Sequence, residues 1–245
     1  MKTISKRAIF IESYRIFQEN FIFMIKLGFL FFMIQVFIPS IALIFLESVS
    51  SSIMIFQLIY FIFIVTPINL GSIVQILRIV RGEKNASIGD VFNYFNKCWI
   101  SVTGYIIFSL FIGICSTILL MICAVLTGYD MSTFETEEII FNQSIPVGMV
   151  VCCILILIPS TYLYIKSILF FEYYIMDKNL GPINSLKSSF NKTNGMEGEI
   201  FLLVICLVPL YILLYLCSVG IIFLMPYIYI MFTLFYMNYL EREKI

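Results

Sequence analysis

The side chains of this chain that could take part in chemistry lie mainly on the C-terminal side of three prolines. Pro67, Pro159 and Pro226 each fall inside a long apolar run. Polar groups in hydrocarbon are costly unless they face partners or a water-filled cavity. We therefore predict a polar vestibule, open to the cytoplasm, where these segments converge. The predicted vestibule residues are Asn69, Ser72, Gln75, Thr161, Tyr162, Lys166 and Tyr229.

Lys166 is the one cation in this set, and two interpretations of it stay open. In a vestibule, its charge would favour an anionic guest such as a lipid phosphate. Alternatively, its long side chain snorkels to the inner membrane interface, since it follows Val147 by about one membrane-spanning length.

Several residue types on which enzymes commonly depend are missing from the sequence. There is no histidine, which removes the commonest general base and metal ligand. The motifs GxxxxGK[ST], HExxH and GxSxG do not occur. The seven cysteines are odd in number and form no CxxC pair. We expect no catalytic residue, no metal site and no cofactor, and hence no enzyme.

Composition and charge distribution indicate a membrane protein with a defined orientation. Hydrophobic residues make up 61% of the chain and charged residues 12%, whereas soluble domains have roughly 25% charged residues. All 15 Lys and Arg can be placed on one side of a membrane. The predicted outer segments, Glu47–Ser52, Thr127–Ile145 and a turn near Cys217, carry no basic residue. Because basic flanks resist translocation, we predict a multi-pass protein of the cell membrane with both termini in the cytoplasm.

The predicted fold is all-α, with residues 1–245 forming a single membrane-embedded domain. Six transmembrane helices form three hairpins, and a cytoplasmic amphipathic helix at the interface precedes each hairpin. The interfacial helices are predicted at about 3–20, 87–98 and 182–193. The spans are predicted at about 27–46, 53–77, 100–126, 147–171, 200–217 and 220–240, each long enough to cross a bilayer.

Helical spacing of apolar residues defines the second and third interfacial helices. Ser87 and Asp90 resemble a capping box at the start of the second. One apolar face is predicted on each helix: Ile88, Val91, Phe92, Phe95 and Cys98 on the second, and Ile183, Leu186 and Phe190 on the third. The two segments align with each other, which indicates a weak threefold internal repeat.

The run from Ser185 to Gly195, followed by a long apolar hairpin containing Pro226, resembles a bacterial six-span membrane family. That family is related to the membrane domain of glycerophosphodiester phosphodiesterases, and most of its members are uncharacterised. The segment from Arg81 to Trp99 is similar to the family's second inner helix. The resemblance implies a helical membrane fold and offers no catalytic residues.

These observations favour a non-enzymatic membrane scaffold or accessory protein, with lipid binding as an option. A transporter or permease-like component for a small molecule, peptide or lipid is the first alternative, because proline-interrupted spans line many transport sites. An immunity-type protein against a membrane-active peptide is the second. Expected partners are membrane lipids or another membrane protein, and no nucleic acid; the sequence does not reveal the oligomeric state.

Overall fold

The structure, a computed structural model, describes residues 6–46, 50–83, 85–127, 147–195, 198–200 and 220–241, together with residues 202, 205 and 209. Its elements are helices, and no strand occurs in the described part of the chain. The predicted all-α fold class is confirmed. Long apolar segments favour helices because a helix satisfies its backbone hydrogen bonds internally, which a lipid environment requires.

The elements with described bounds are ten α-helices, two π-helical segments and one 3-10 segment, and residues 198–200 are also helical. In order, they are α1 (Lys6–Glu19), α2 (Phe21–Phe32), the first π segment (Met33–Phe37), α3 (Ile38–Leu46), α4 (Ser50–Tyr60), the second π segment (Phe61–Val65), α5 (Thr66–Val80), the 3-10 helix (Gly89–Lys97), α6 (Cys98–Thr127), α7 (Val147–Ile168), α8 (Phe171–Lys178), α9 (Pro182–Lys192) and α10 (Ile221–Glu241).

Five helical stretches among the described residues are long and apolar enough to cross a membrane, which supports the predicted membrane protein. They are Phe21–Ala42, Ile55–Val80, Gly89–Val125, Val151–Lys178 and Ile221–Asn238. The predicted sixth span, about 200–217, lies almost wholly outside the described residues, as do most of the three predicted outer segments. The total of six spans therefore stays a prediction.

Helix α5 lies at the centre of the described structure. It contacts the 3-10 helix, α6, α8 and α10, and most of its residues are buried. Helix α10 in turn packs against α1 and α2. Two glycines allow the backbones to touch at these crossings. A Cβ atom on Gly28 would lie 1.8 Å from the Ile222 carbonyl oxygen, and one on Gly71 would lie 2.0 Å from that of Val91. Such close approach by small residues is a common way for membrane helices to pack.

The first two spans each contain a π segment that ends two residues before a proline, Pro39 or Pro67. In the π register, residue 39 would donate its N–H to the carbonyl five residues earlier, at Ile34. Proline has no N–H to give. The hydroxyl of Tyr60 donates to the Ile34 carbonyl instead, at 2.7 Å. Tyr60 of the second span thus provides the hydrogen bond to the Ile34 carbonyl that Pro39 of the first span cannot provide.

The second predicted interfacial helix differs from its prediction. Residues Gly89–Lys97 form a 3-10 segment that is kinked at Tyr94 (φ −108°, ψ 15°) and runs directly into α6. With about three residues per turn, a 3-10 helix does not keep residues of 3.6-residue spacing on one face. Val91 and Cys98 are buried in the protein, whereas Phe92 and Phe95 are exposed on its surface, so the five predicted residues do not share one environment. The predicted capping box is also absent, since Ser87 Oγ accepts the N–H of Gly89.

The third predicted interfacial helix forms as α9, in which Leu186 of the predicted apolar face is buried and Phe190 is half-buried, and a row of hydroxyl residues is buried as well. Ile183 is exposed, whereas the hydroxyl residues Ser185, Ser189 and Thr193 are fully buried. These three lie four residues apart and therefore share one face of the helix. The polar face is drawn inward because α9 packs over an interruption between α7 and α8, where backbone groups need partners.

Candidate functional site

On α5, two of the three predicted vestibule residues are buried and hydrogen-bonded to backbone groups. Asn69 is half-buried, and the Ser72 hydroxyl donates to the Ile68 carbonyl at 2.7 Å. Gln75 is 0% exposed, and its Oε1 accepts the N–H of Ser87 at 3.2 Å. Its Nε2 has no hydrogen-bond partner among the described residues. Gln75 thus fixes the connection between α5 and the 3-10 helix.

On α7, Lys166 is almost fully buried, at 3% exposure, although Thr161 and Tyr162 are exposed. Its Nζ donates to Asn194 Oδ1 at 3.0 Å and to the Tyr162 hydroxyl at 3.3 Å. It also lies 4.8 Å from the centre of the Phe190 ring, within the range of a cation–π interaction. Residues at and after the end of α9 therefore enclose the ammonium group.

The hydroxyl of Ser189 occupies a break in the helical hydrogen bonding between α7 and α8. It accepts the Phe170 N–H at 3.1 Å and donates to the Lys166 carbonyl at 3.0 Å. In an uninterrupted helix, Phe170 would donate directly to Lys166, four residues earlier. Insertion of a side chain at this point is a recognised cause of helix bending. The Thr193 hydroxyl also approaches the Lys166 carbonyl, at 3.3 Å.

Tyr229, the predicted vestibule residue on α10, is half-buried and stacks on Phe31, with ring centroids 5.1 Å apart. Its carbonyl accepts the Thr233 hydroxyl at 2.8 Å. The structure thus brings Tyr162 and Lys166 together, places Ser72 and Gln75 beside other backbone groups, and places Tyr229 against α2. The convergence of all seven residues on one vestibule stays a prediction.

A second group of polar residues, which was not predicted as a site from the sequence, joins the ends of several helices. Arg81 Nη2 lies 2.5 Å from Asp177 Oδ1, and the Tyr236 hydroxyl donates to Asp177 Oδ2 at 3.1 Å. Asp177 therefore connects the end of α5 to α8 and α10. Its side chain is only 8% exposed, so both of its oxygens find protein partners where water is scarce.

Two further contacts extend this group toward the 3-10 helix. Arg78 Nη1 lies 3.6 Å from Asp90 Oδ2, and Lys97 Nζ donates to Asn179 Oδ1. We call these seven residues the polar layer: Arg78, Arg81, Asp90, Lys97, Asp177, Asn179 and Tyr236. A sequence signal was available, because cations follow the second predicted span and Asp177 follows the fourth.

Glu172 is a further acid that the sequence analysis did not single out, in the first turn of α8. It is half-buried, and its Oε1 accepts the hydroxyl of the buried Ser101 at 3.1 Å. A helix N-terminus favours a carboxylate through its partial positive charge. This bond ties α8 to α6.

The chemistry that these residues provide is hydrogen bonding and charge pairing between helices. About half of the described side-chain hydrogen bonds join separate parts of the chain, as between Ser101 and Glu172 or Tyr173 and Thr233, and the others are local within one helix or turn. Within the described residues, no group of three His, Cys, Asp or Glu side chains could hold a metal ion.

Comparison with known proteins identifies the family of the chain. No curated protein matches the sequence. No solved structure matches either. A family model described as "Protein of unknown function (DUF975)" matches residues 6–243, which is nearly the whole chain. Together with the five apolar helices, this match shows that the chain belongs to the DUF975 family and is a helical membrane protein.

Proposed function

We propose that this protein is a non-enzymatic scaffold or accessory protein of the cell membrane, with both termini in the cytoplasm. The observation that carries the proposal is the bonding of Asp177 to both Arg81 and Tyr236. A transport pathway needs polar groups that are free to meet a substrate. Here Arg81 at the end of α5 and Asp177 in the last turn of α8 are paired with each other.

The predicted orientation is supported by the position of the polar layer. Arg78 and Arg81, the 3-10 helix and the end of α8 are predicted on the cytoplasmic side from separate parts of the sequence. Their mutual contacts are consistent with one shared face, as the distribution of basic residues requires. The proposed family link, to the membrane domain of glycerophosphodiester phosphodiesterases, rests on the residues quoted above and would add only a helical membrane unit.

The scaffold proposal is tested by a distance measurement on the reconstituted protein. Spin labels are attached at Glu83, after α5, and at Lys187, on α9, both exposed positions. A scaffold should give one distance population that an imposed proton or sodium gradient does not change. Two populations whose ratio follows the gradient would instead favour a transporter, because alternating access moves one bundle relative to another.

A labelled pair on one rigid element provides the matched control. Labels at Ile183 and Lys187, both on α9 and both exposed, should give one unchanged distance on either account. Any gradient-dependent change in that pair would reveal an artefact of the membrane conditions.

A further inference from the structure

Lys26, on α2, is exposed and makes no ion pair or hydrogen bond with any residue that the structure describes. It differs in this from Arg78, Arg81, Lys97 and Lys166, whose side chains bond to other residues of the chain. A lysine ammonium offers three donors and a full positive charge. The residues around Lys26 therefore determine which anionic ligand its ammonium group can bind.

Lys26 lies where two surface grooves meet, each of a size that small ligands occupy. The first has a volume of about 560 Å³, and apart from Lys26 itself it is lined by apolar residues: Ile25, Phe29, Ile88, Ile222 and Phe223. The second has a volume of about 480 Å³ and shares Lys26 and Ile88 with the first. No acidic residue lines either groove, so the charge at their junction is positive.

The second groove supplies polar partners beside Lys26. Ser87 Oγ accepts the Gly89 N–H at 3.2 Å, so the Ser87 hydroxyl proton remains available to donate. Both residues line this groove. Behind them, Gln75 holds the Ser87 backbone N–H and has a buried amide donor without a partner in the described structure. The groove system thus changes from the apolar walls of the first groove to the Lys26 ammonium and the Ser87 hydroxyl in the second.

We propose that the two grooves bind one anionic phospholipid. Its phosphate lies against the Lys26 ammonium and the Ser87 hydroxyl, and one acyl chain follows the walls formed by Phe29 and Phe223. Both phenylalanines are about half exposed, as a surface that lipid covers would be. The charge selects the anionic headgroup, and the apolar groove selects a ligand with a hydrocarbon chain. The inference needs only the membrane location in the proposed function and does not depend on the scaffold role.

Native mass spectrometry of the full-length protein tests this site with two lipids of identical acyl chains. The protein is released from nanodiscs containing phosphatidylglycerol, which is anionic, or phosphatidylcholine, which is zwitterionic. One favourable charge near a membrane surface contributes enough for a change of about fivefold in binding. Lys26→Met should therefore lower retention of phosphatidylglycerol about fivefold and leave phosphatidylcholine unchanged.

Lys187→Met is the matched control, because Lys187 is also exposed but lies on α9, away from both grooves. Its retention of phosphatidylglycerol should equal that of the unaltered protein. Equal retention by the two variants would overturn the site. Ile25→Trp, which fills the apolar groove, should lower retention of both lipids, and unchanged retention would overturn the acyl-chain assignment.

A competition experiment distinguishes binding of the whole lipid from binding of a free phosphate ion. Inorganic phosphate should not displace the bound phosphatidylglycerol, because it gains nothing from the apolar walls; full displacement would overturn the proposal. Melting curves of every variant show whether the fold is intact. A failed lipid site leaves the distance populations of the scaffold test unaffected, so the two proposals can fail separately.

Discussion

The guanidinium of Arg81 lies 2.5 Å from the carboxylate of Asp177, which is 96 residues later in the chain. This pair connects the end of α5, the central helix, to α8. The Tyr236 hydroxyl donates to the other carboxylate oxygen and adds α10 to the same contact. Three helices that are distant in sequence therefore meet at one carboxylate.

The first prediction concerns this pair. Asp177→Asn keeps the shape of the side chain but removes its charge, so we expect the free energy of unfolding to fall by about 1–3 kcal/mol. Arg81 is about one-third exposed, which limits the loss through solvent screening. The measurement is denaturant unfolding in detergent micelles. Glu12→Gln, in an exposed pair with Arg15, is the control and should change stability by less than about 1 kcal/mol.

The second prediction concerns the hydroxyl inserted between α7 and α8. Ser189→Ala leaves the Lys166 carbonyl with one fewer donor and the Phe170 N–H without its acceptor, at a cost of about 1–3 kcal/mol. Ser188→Ala, at the neighbouring half-buried position, is the control. Thermal unfolding compares the two. Equal melting temperatures would mean that α7 and α8 close their own backbone bond when the hydroxyl is absent.

The third prediction tests the close helix crossings. Gly28→Ala places a methyl group against the Ile222 carbonyl, so the helices must separate, which we expect to cost about 1–3 kcal/mol. Gly113→Ala is the matched control on α6, where a Cβ atom would meet nothing within 4 Å. The measurement is the fraction of protein that stays monodisperse after heating, determined by size-exclusion chromatography. If both variants lose the same fraction of monodisperse protein, the close contact at Gly28 does not stabilise the fold.

The fourth prediction concerns the first hairpin. Tyr60→Phe removes the donor to the Ile34 carbonyl and keeps the ring that stacks on Phe56. Hydrogen bonds between membrane helices contribute about 0.6–2 kcal/mol, so we expect a loss in that range. Tyr14→Phe is the control, because the exposed Tyr14 hydroxyl accepts its bond from Gln18 of the same helix and joins no second span. Wild-type stability of Tyr60→Phe would show that another group serves the Ile34 carbonyl.

The fold class could be predicted from sequence because apolar segments of membrane-spanning length leave few alternatives to helices. The same reasoning predicted a vestibule lined by polar residues of α5; Ser72 and Gln75 are buried, and the vestibule itself stays a prediction. What they face could not be predicted, since their partners are backbone groups of Ile68 and Ser87.

Two features escaped the sequence reasoning for physical reasons. The 3-10 segment was not predicted because the spacing of apolar residues was compared with 3.6 residues per turn. Phe92, which that spacing placed beside Val91, is exposed. The inward face of α9 was missed because Ser189 is buried to serve an interrupted helix elsewhere, at Lys166 and Phe170. The sequence of α9 alone does not show that the backbone between α7 and α8 needs a hydrogen-bond partner.

We propose that the polar layer and α9 lie on the cytoplasmic face, opposite the cation-free segments. Single cysteines at Lys187 and at Asp130, each placed in a variant without the seven native cysteines, test it with a maleimide that does not cross membranes. In intact cells, we expect labelling at position 130 and none at 187 until the membrane is opened. Labelling of position 187 in intact cells, with position 130 protected, would contradict the orientation and the function built on it.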